Sequence, residues 1–201
     1  MKGLGMQEIV IASNNAGKLR EIEAILKPLG LTAVAQSIFN VPEAEEPHPT
    51  FVENALAKAR NAAQHTGRPA LADDSGICVN ALHGAPGVIS ARYAGEPKSD
   101  ARNNQKLVEA LKDCEDHSAY YYAAIVLVRH ADDPQPLIAE ARWAGQVIDT
   151  PRGDHGFGYD PYFFLPDLNQ TAAELDPVKK NLVSHRGKAL RRLAALIQER
   201  W

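Results

Sequence analysis

Leu71-Ala72-Asp73-Asp74-Ser75-Gly76 ends a short apolar run that starts at Pro69, and Ile77-Cys78-Val79 follows it. Read as a buried strand, Pro69-Ala70-Leu71-Ala72 delivers Asp73 and Asp74 where the strand emerges, with their side chains on opposite faces. A serine-glycine turn is expected next. Carboxylates at strand ends in an open α/β sheet lie where such folds receive ligands. One of the pair is therefore suited to hold a metal or to take a proton from water. Asp, Ser and Gly also favour turns, so these six residues alone read as a polar turn as readily as a site.

Working outward, Glu8-Ile9-Val10-Ile11-Ala12 reads as a second buried strand, followed at once by Ser13-Asn14-Asn15-Ala16-Gly17-Lys18. Leu19, Ile22, Leu26 and Leu29 then recur at helical spacing until Pro28 and Gly30 close the element. Strand, small polar loop and helix start form a ready anion site, because the free N–H groups and the positive dipole end face the loop. Lys18 adds a cation. GxxxxGK[ST] is absent, so this is not a Walker A loop; alone, the loop also reads as a capped turn.

Residues 32–36 predict a short strand, and residues 41–49 an acidic, proline-rich loop containing Glu43, Glu45 and Glu46. Thr50-Phe51-Val52-Glu53 matches a capping box and predicts a helix to about Gln64, before Gly67. Lys58 and Arg60 lie on it. Ser99 is a candidate cap for a helix carrying Leu107, Val108 and Leu111. Residues 120–128 and 137–148 read as two scaffold strands joined by a turn around Asp132-Asp133-Pro134. Gly156-Phe157-Gly158-Tyr159-Asp160-Pro161 displays two aromatics and a carboxylate on a path that glycine allows to approach a ligand closely. Thr171-Ala172-Ala173-Glu174 is another capping box, and Ser184-His185-Arg186-Gly187-Lys188 opens a helix through Leu190, Leu193 and Ile197.

The 201 residues are 45% hydrophobic and 23% charged, which suits a globular chain with a real core, as one domain or two small lobes. A net charge of -3 gives no global basic field for duplex nucleic acid. Cys78 and Cys114 stand in no metal or disulfide spacing. The start lacks the layout of a secretory signal, and the longest apolar stretch, around residues 120–128, is far short of the ~20 residues of a membrane helix. A reducing cytoplasm is expected.

Each motif is weak alone, but their joint order is distinctive. Ser13 to Lys18, Thr50-Phe51-Val52-Glu53-Asn54-Ala55, Asp73-Asp74-Ser75-Gly76, Gly84-Ala85-Pro86-Gly87, Ser90-Ala91-Arg92-Tyr93, Gly156 to Pro161 and Ser184-His185-Arg186-Gly187 occur in sequence. Together they closely resemble the inosine/xanthosine triphosphate pyrophosphatases in their bacterial form, over nearly the whole chain from Ile9. The resemblance implies one α/β domain built on a long, curved, mixed β-sheet flanked by helices, with two lobes around a central cleft. It also implies a homodimer, and Mg²⁺-dependent hydrolysis of ITP, dITP or XTP to the monophosphate and pyrophosphate. No nucleic-acid polymer or membrane partner is expected.

Residue by residue, Ser13, Asn14, Asn15 and Lys18 match the family's triphosphate loop, and Lys58 a further phosphate-side lysine. Asp74 matches the proton acceptor and metal ligand, with Asp73 beside it. The metal-side glutamate falls on Glu45 or Glu46. Ser75, Phe157, Gly158, Tyr159, Asp160, Lys180, His185 and Arg186 match substrate-binding positions. The extension through Met6 is unmatched and is expected to be disordered.

The chemistry fits these residues independently. Mg²⁺, if held by Asp74 and a glutamate, would neutralise phosphate charge and help lower the pKa of water. Asp74 or Asp73 takes the proton, and Lys18 with the helix N-terminus stabilises the departing charge. A 6-oxo purine accepts from Arg186 and backbone N–H groups, whereas adenine leaves such donors unpaired, a mismatch that discriminates by roughly 10⁴. On this reading Phe157 stacks on the base, and His185 joins Arg186 in reading it. Two rivals are a related pyrophosphatase acting on modified pyrimidine or 7-methylguanosine triphosphates, and a nucleotide sensor without turnover.

Overall fold

Ile9, Val10 and Ile11 are wholly buried, the mark of a strand covered on both faces, as parallel strands are. In the computed structural model, which describes residues 7–201, they form β1 (Gln7–Ile11). The expected disordered start, Met1 to Met6, lies outside those residues. β1 pairs in parallel with β2 (Leu31–Ala35) and with β3 (Ala70–Val79). Helix α1 (Ala16–Leu26) joins the first two strands, and α2 (Phe51–Thr66) precedes the third. The sheet order is β2-β1-β3-β4-β5-β6-β7, with β4 at Ser118–Val128, β5 at Leu137–Val147, β6 at Phe163–Leu165 and β7 at Gln170–Thr171. β5–β6 and β6–β7 pair antiparallel. This is the mixed, helix-flanked α/β sheet that the resemblance implies.

The chain divides into two compact units. The first holds the segments up to Asp74, Ala124–Glu140 and Arg186–Trp201. Its core sets Ala55, Ala59, Ala62 and Ala63 of α2 against Val10, Ala70, Ala72, Val126 and Val128. Alanines along one stripe let the helix backbone lie close to the strands. Thr50 caps α2 by accepting from the Glu53 N–H, and Gly67 ends it at φ 63°. Helix α5 (His185–Arg200) contributes its buried Ala189, Leu190 and Leu193.

The second unit holds Ser75–Ala123 and Ala141–His185. Its core gathers Ile77, Val79, Tyr121, Trp143, Tyr159 and Phe163 with Leu107 and Leu111 of α3 (Asp100–Leu111), which Ser99 caps. Along β5, buried and exposed residues alternate from Leu137 to Ala144, as in a strand with one solvated face. Helix α4 (Pro177–Val183), β6 and β7 lie where no element is expected from the sequence.

Two linked expectations are corrected. Ser75-Gly76 is no turn; β3 runs unbroken through it, so Asp73 and Asp74 lie within the strand and not where it emerges. The glycine serves close approach instead. A Cβ on Gly76 would collide with the Gly87 carbonyl and with Ser90, whose hydroxyl accepts from the Ile77 N–H at 3.0 Å. The Thr171 box likewise caps only a single 3₁₀ turn, Ala172–Glu174. No helix among the described residues is long and apolar enough to cross a membrane.

Candidate active site

In the first unit the residues after β1 form a polar loop ending on α1. Asn15 caps that helix by accepting from the Lys18 N–H at 3.0 Å, and Ser13 Oγ accepts from the Asn15 N–H at 3.1 Å. Asn14 Nδ2 donates to Glu43 Oε1 at 3.0 Å. These caps hold the first-turn N–H groups at the edge of an exposed loop, the geometry that receives anions.

Adjacent strand residues point to opposite faces, and Asp73 and Asp74 accordingly meet different partners. Asp73 Oδ2 accepts from Lys18 Nζ at 2.8 Å and from Arg186 Nε and Nη2, both at 3.2 Å. Arg186 also donates through Nη1 to Glu21. Burial alone would raise the Asp73 pKa, but Arg186 and Lys18 outweigh it and hold the carboxyl far below the ordinary range. The same burial lowers Lys18, with Asp73 pulling the other way. Arg186, though buried, is held above its ordinary value by Asp73 and Glu21. Asp73 is thus a permanent anion at the centre of a buried cation pair.

Asp74 behaves differently. Its Oδ1 accepts from Lys58 Nζ at 2.8 Å, while Oδ2 is buried with no hydrogen-bond partner among the described residues. Burial raises its pKa despite Lys58 and Lys18. The Lys58 ammonium also donates to Glu46 Oε1 at 2.7 Å and to the Asp73 carbonyl at 3.1 Å. Burial opposes its charge, yet Asp74 and Glu46 together hold it above the ordinary lysine value. A lysine that could have faced solvent therefore bridges two carboxylates, while Arg60 is exposed. The structure brings Glu46 to Asp74 through this bridge and leaves Glu45 exposed. Among the described residues, no group of three or more His, Cys, Asp or Glu is arranged to hold a metal.

The second unit collects the other candidates. The 157–160 turn is tied down from several sides. The Gly158 N–H donates to Asp100 Oδ2 at 2.8 Å, and its carbonyl accepts from Asn104 Nδ2 at 2.9 Å. Tyr159 donates to the Ser90 carbonyl at 2.7 Å, and burial drives its phenol pKa well upward. Asp160 Oδ2 accepts from the Phe157 N–H at 2.9 Å and from Lys180 Nζ at 2.7 Å. The Lys180 ammonium lies 5.0 Å from the Phe157 ring centroid. At Gly156, φ is 80° and a Cβ would strike the Asp160 carboxylate, so only glycine fits. His185 stacks on Tyr121, and Ser75 is half-buried in β3.

Thus Ser13, Asn14, Asn15, Lys18, Lys58, Asp74, Glu46 and Arg186 fall in one unit. Ser75, Phe157, Gly158, Tyr159, Asp160, Lys180 and His185 fall in the other. Asp100, Asn104 and Ser90 hold this turn without belonging to the residues singled out by sequence for it. A signal existed for Asn104: it shares the buried stripe of Leu107 and Leu111, where a polar side chain needs a partner.

A mixed α/β sheet, a capped polar loop at a helix start, and a lysine that bridges Asp74 of β3 to Glu46 define an α/β protein with a charged site on its first unit. The chain belongs to the Ham1 family, whose sequence profile matches residues 9–196. A protein named dITP/XTP pyrophosphatase from Nitrosomonas europaea is 65% identical over 194 residues, 96% of each chain. One of the same name from Aromatoleum aromaticum is 63% identical over 187 residues, 93% of this chain and 94% of the relative. A solved HAM1 protein from Coxiella burnetii aligns with a TM-score of 0.90 at 50% identity, over 96% of this chain and 100% of the other.

Proposed function

We propose that this chain hydrolyses the non-canonical purine triphosphates dITP, XTP and ITP to the monophosphate and pyrophosphate. The observation that carries this reading is Asp74, a buried carboxylate with a raised pKa and an unpartnered oxygen, bridged by Lys58 to Glu46. The full-length likeness to relatives named dITP/XTP pyrophosphatase supports the substrate class.

The roles follow from the electrostatics. Asp73, held ionised by two cations, is a poor proton acceptor. Asp74, whose proton affinity is raised, accepts the proton of the attacking water. Lys18 and the N-terminus of α1 stabilise charge developing on the phosphates. Mg²⁺ is the proposed cofactor, and the donor set fits it, since this ion is typically held by one or two carboxylates together with substrate phosphates. Asp74 and Glu46 would hold it, and it would neutralise phosphate charge and acidify the water. Base recognition falls to the 157–160 turn and His185; Arg186, matched to the same task by resemblance, has its Nε and Nη2 on Asp73 and its Nη1 on Glu21. Arg186→Ala with an unchanged ITP-over-ATP preference would leave that task to His185 and the turn amides. The proposal includes a homodimer, which sedimentation can check, and a cytoplasmic setting suited to the free thiols of Cys78 and Cys114.

The test is pyrophosphate release from ITP, XTP, dITP, GTP, ATP and dTTP, with Mg²⁺ and then with chelator. Fast, Mg²⁺-dependent release from the first three alone is expected; equal turnover of ATP and GTP, or none at all, would overturn the reading. Glu46→Gln is expected to raise the Mg²⁺ concentration for half-maximal activity about tenfold, as loss of one of two ligand carboxylates should. Glu45→Gln is expected to leave it unchanged. The reverse pattern would move the metal ligand to Glu45.

A further inference from the structure

We propose that Tyr121 of β4 is a positioning residue for base recognition, fixing the plane of His185 and the carboxylate of Asp160 at once. The inference rests on the reading that His185 and the 157–160 turn contact the nucleotide base. By sequence, the strand carrying Tyr121 reads as scaffold. In the structure its side chain does two separate things. Its ring lies 4.7 Å from the His185 imidazole at an interplanar angle of 8°, a parallel stack. Its phenol donates to Asp160 Oδ1 at 3.2 Å.

The phenol contact matters because of what Asp160 holds. The other carboxylate oxygen, Oδ2, accepts from the Phe157 N–H and from Lys180. Tyr121, Lys180 and the turn amide thus share one buried carboxylate, which is 3% exposed. Rotation of that carboxylate would break its hydrogen bonds to the Phe157 N–H and to Lys180 together. Phe163 also packs against the Tyr121 ring, at 4.5 Å and 56°, and helps to hold the tyrosine in place. A buried tyrosine normally needs a partner for its hydroxyl, and plain packing would be met by phenylalanine. Here the partner is the carboxylate that organises the turn, and the ring faces an imidazole that matches a substrate-binding position. One side chain therefore couples two recognition elements that lie far apart in the sequence.

Two variants separate these contacts. Tyr121→Phe keeps the stack and removes the hydroxyl, and is expected to raise KM for ITP about threefold with kcat within about twofold. Tyr121→Leu removes both and is expected to raise KM by tenfold or more, with the ITP-to-ATP ratio of kcat/KM falling by a similar factor. The His185 ring-proton resonances provide a readout independent of turnover. Ring-current shifts should persist in Tyr121→Phe and shrink in Tyr121→Leu to the contribution of Trp143, whose ring stacks on His185 at 6.3 Å and 19°. A purely structural role would lower Tm in Tyr121→Leu while leaving KM, the substrate ratio and the His185 resonances as in the wild type, and that result would overturn the proposal. A wild-type protein inert towards every nucleotide in the panel would sink the functional reading. The His185 resonances would then still decide whether Tyr121 sets the imidazole.

Discussion

Asp74→Asn is expected to lower kcat for ITP hydrolysis by about 10³-fold, the range associated with loss of a general base. Nucleotide binding should survive, because Lys18 and the caps of α1 remain. Asparagine is nearly isosteric and still accepts from Lys58, so the fold should persist, with Glu46 as the second partner of that lysine. The wild-type pH profile carries the same information. Asp74 must be ionised to accept a proton, and burial raises its pKa. Activity is therefore expected to fall in acid as Asp74 takes up a proton, and that acid limb should disappear in the residual rate of the variant. Pre-steady-state measurement with ITP checks both points. A kcat within tenfold of the wild type would place the base elsewhere.

Asp73→Asn should act on stability rather than chemistry alone. Its carboxylate is wholly buried between Lys18 and Arg186, and removing one member of a buried ion pair leaves the others uncompensated, at about 3–5 kcal/mol. For a chain of this size that corresponds to a fall in Tm of roughly 10 °C. The pH sign follows from linkage. Burial raises the Asp73 pKa, Arg186 and Lys18 outweigh it, and the folded-state value lies below the unfolded one. Its stabilisation is therefore complete above the unfolded carboxylate pKa and is lost as the pH falls below that value. Wild type and variant should diverge most near neutrality and converge in acid. Urea unfolding at several pH values measures this. A constant gap across that range would mean that Asp73 stabilises by packing and not by charge.

Two neighbouring aspartates thus carry opposite assignments, and the sequence could announce the pair but not the division. Alternation along a strand was legible in Asp73-Asp74; which face meets Arg186, a residue 113 positions away, was not. The β1–loop–α1 unit was legible because its signals are local: an apolar run, a cap and a helical stripe. The α2 start was legible for the same reason, through Thr50 and Glu53. Glu45 and Glu46 were indistinguishable, since choosing between adjacent loop residues requires knowing where Lys58 points. Gly76 was misread because a glycine in a turn and a glycine under a close backbone neighbour look the same in one dimension. Helix α4 does carry a local signal, Asp176 as cap with Pro177 at the first helical position. Tyr121, Asp100 and Asn104 act on elements distant in sequence, so composition and periodicity could not name them.

The ammonium of Lys58 between Asp74 and Glu46 has a practical side. A protein that supplies its own counterion to two clustered carboxylates does not depend on a metal to assemble them. Chelation should silence the enzyme while leaving its melting temperature within about a degree of a sample supplemented with Mg²⁺ near its dissociation constant, where the stabilisation RT ln(1 + [Mg²⁺]/Kd) is small. Preparations stripped of divalent ions should then store well and recover full activity on simple readdition.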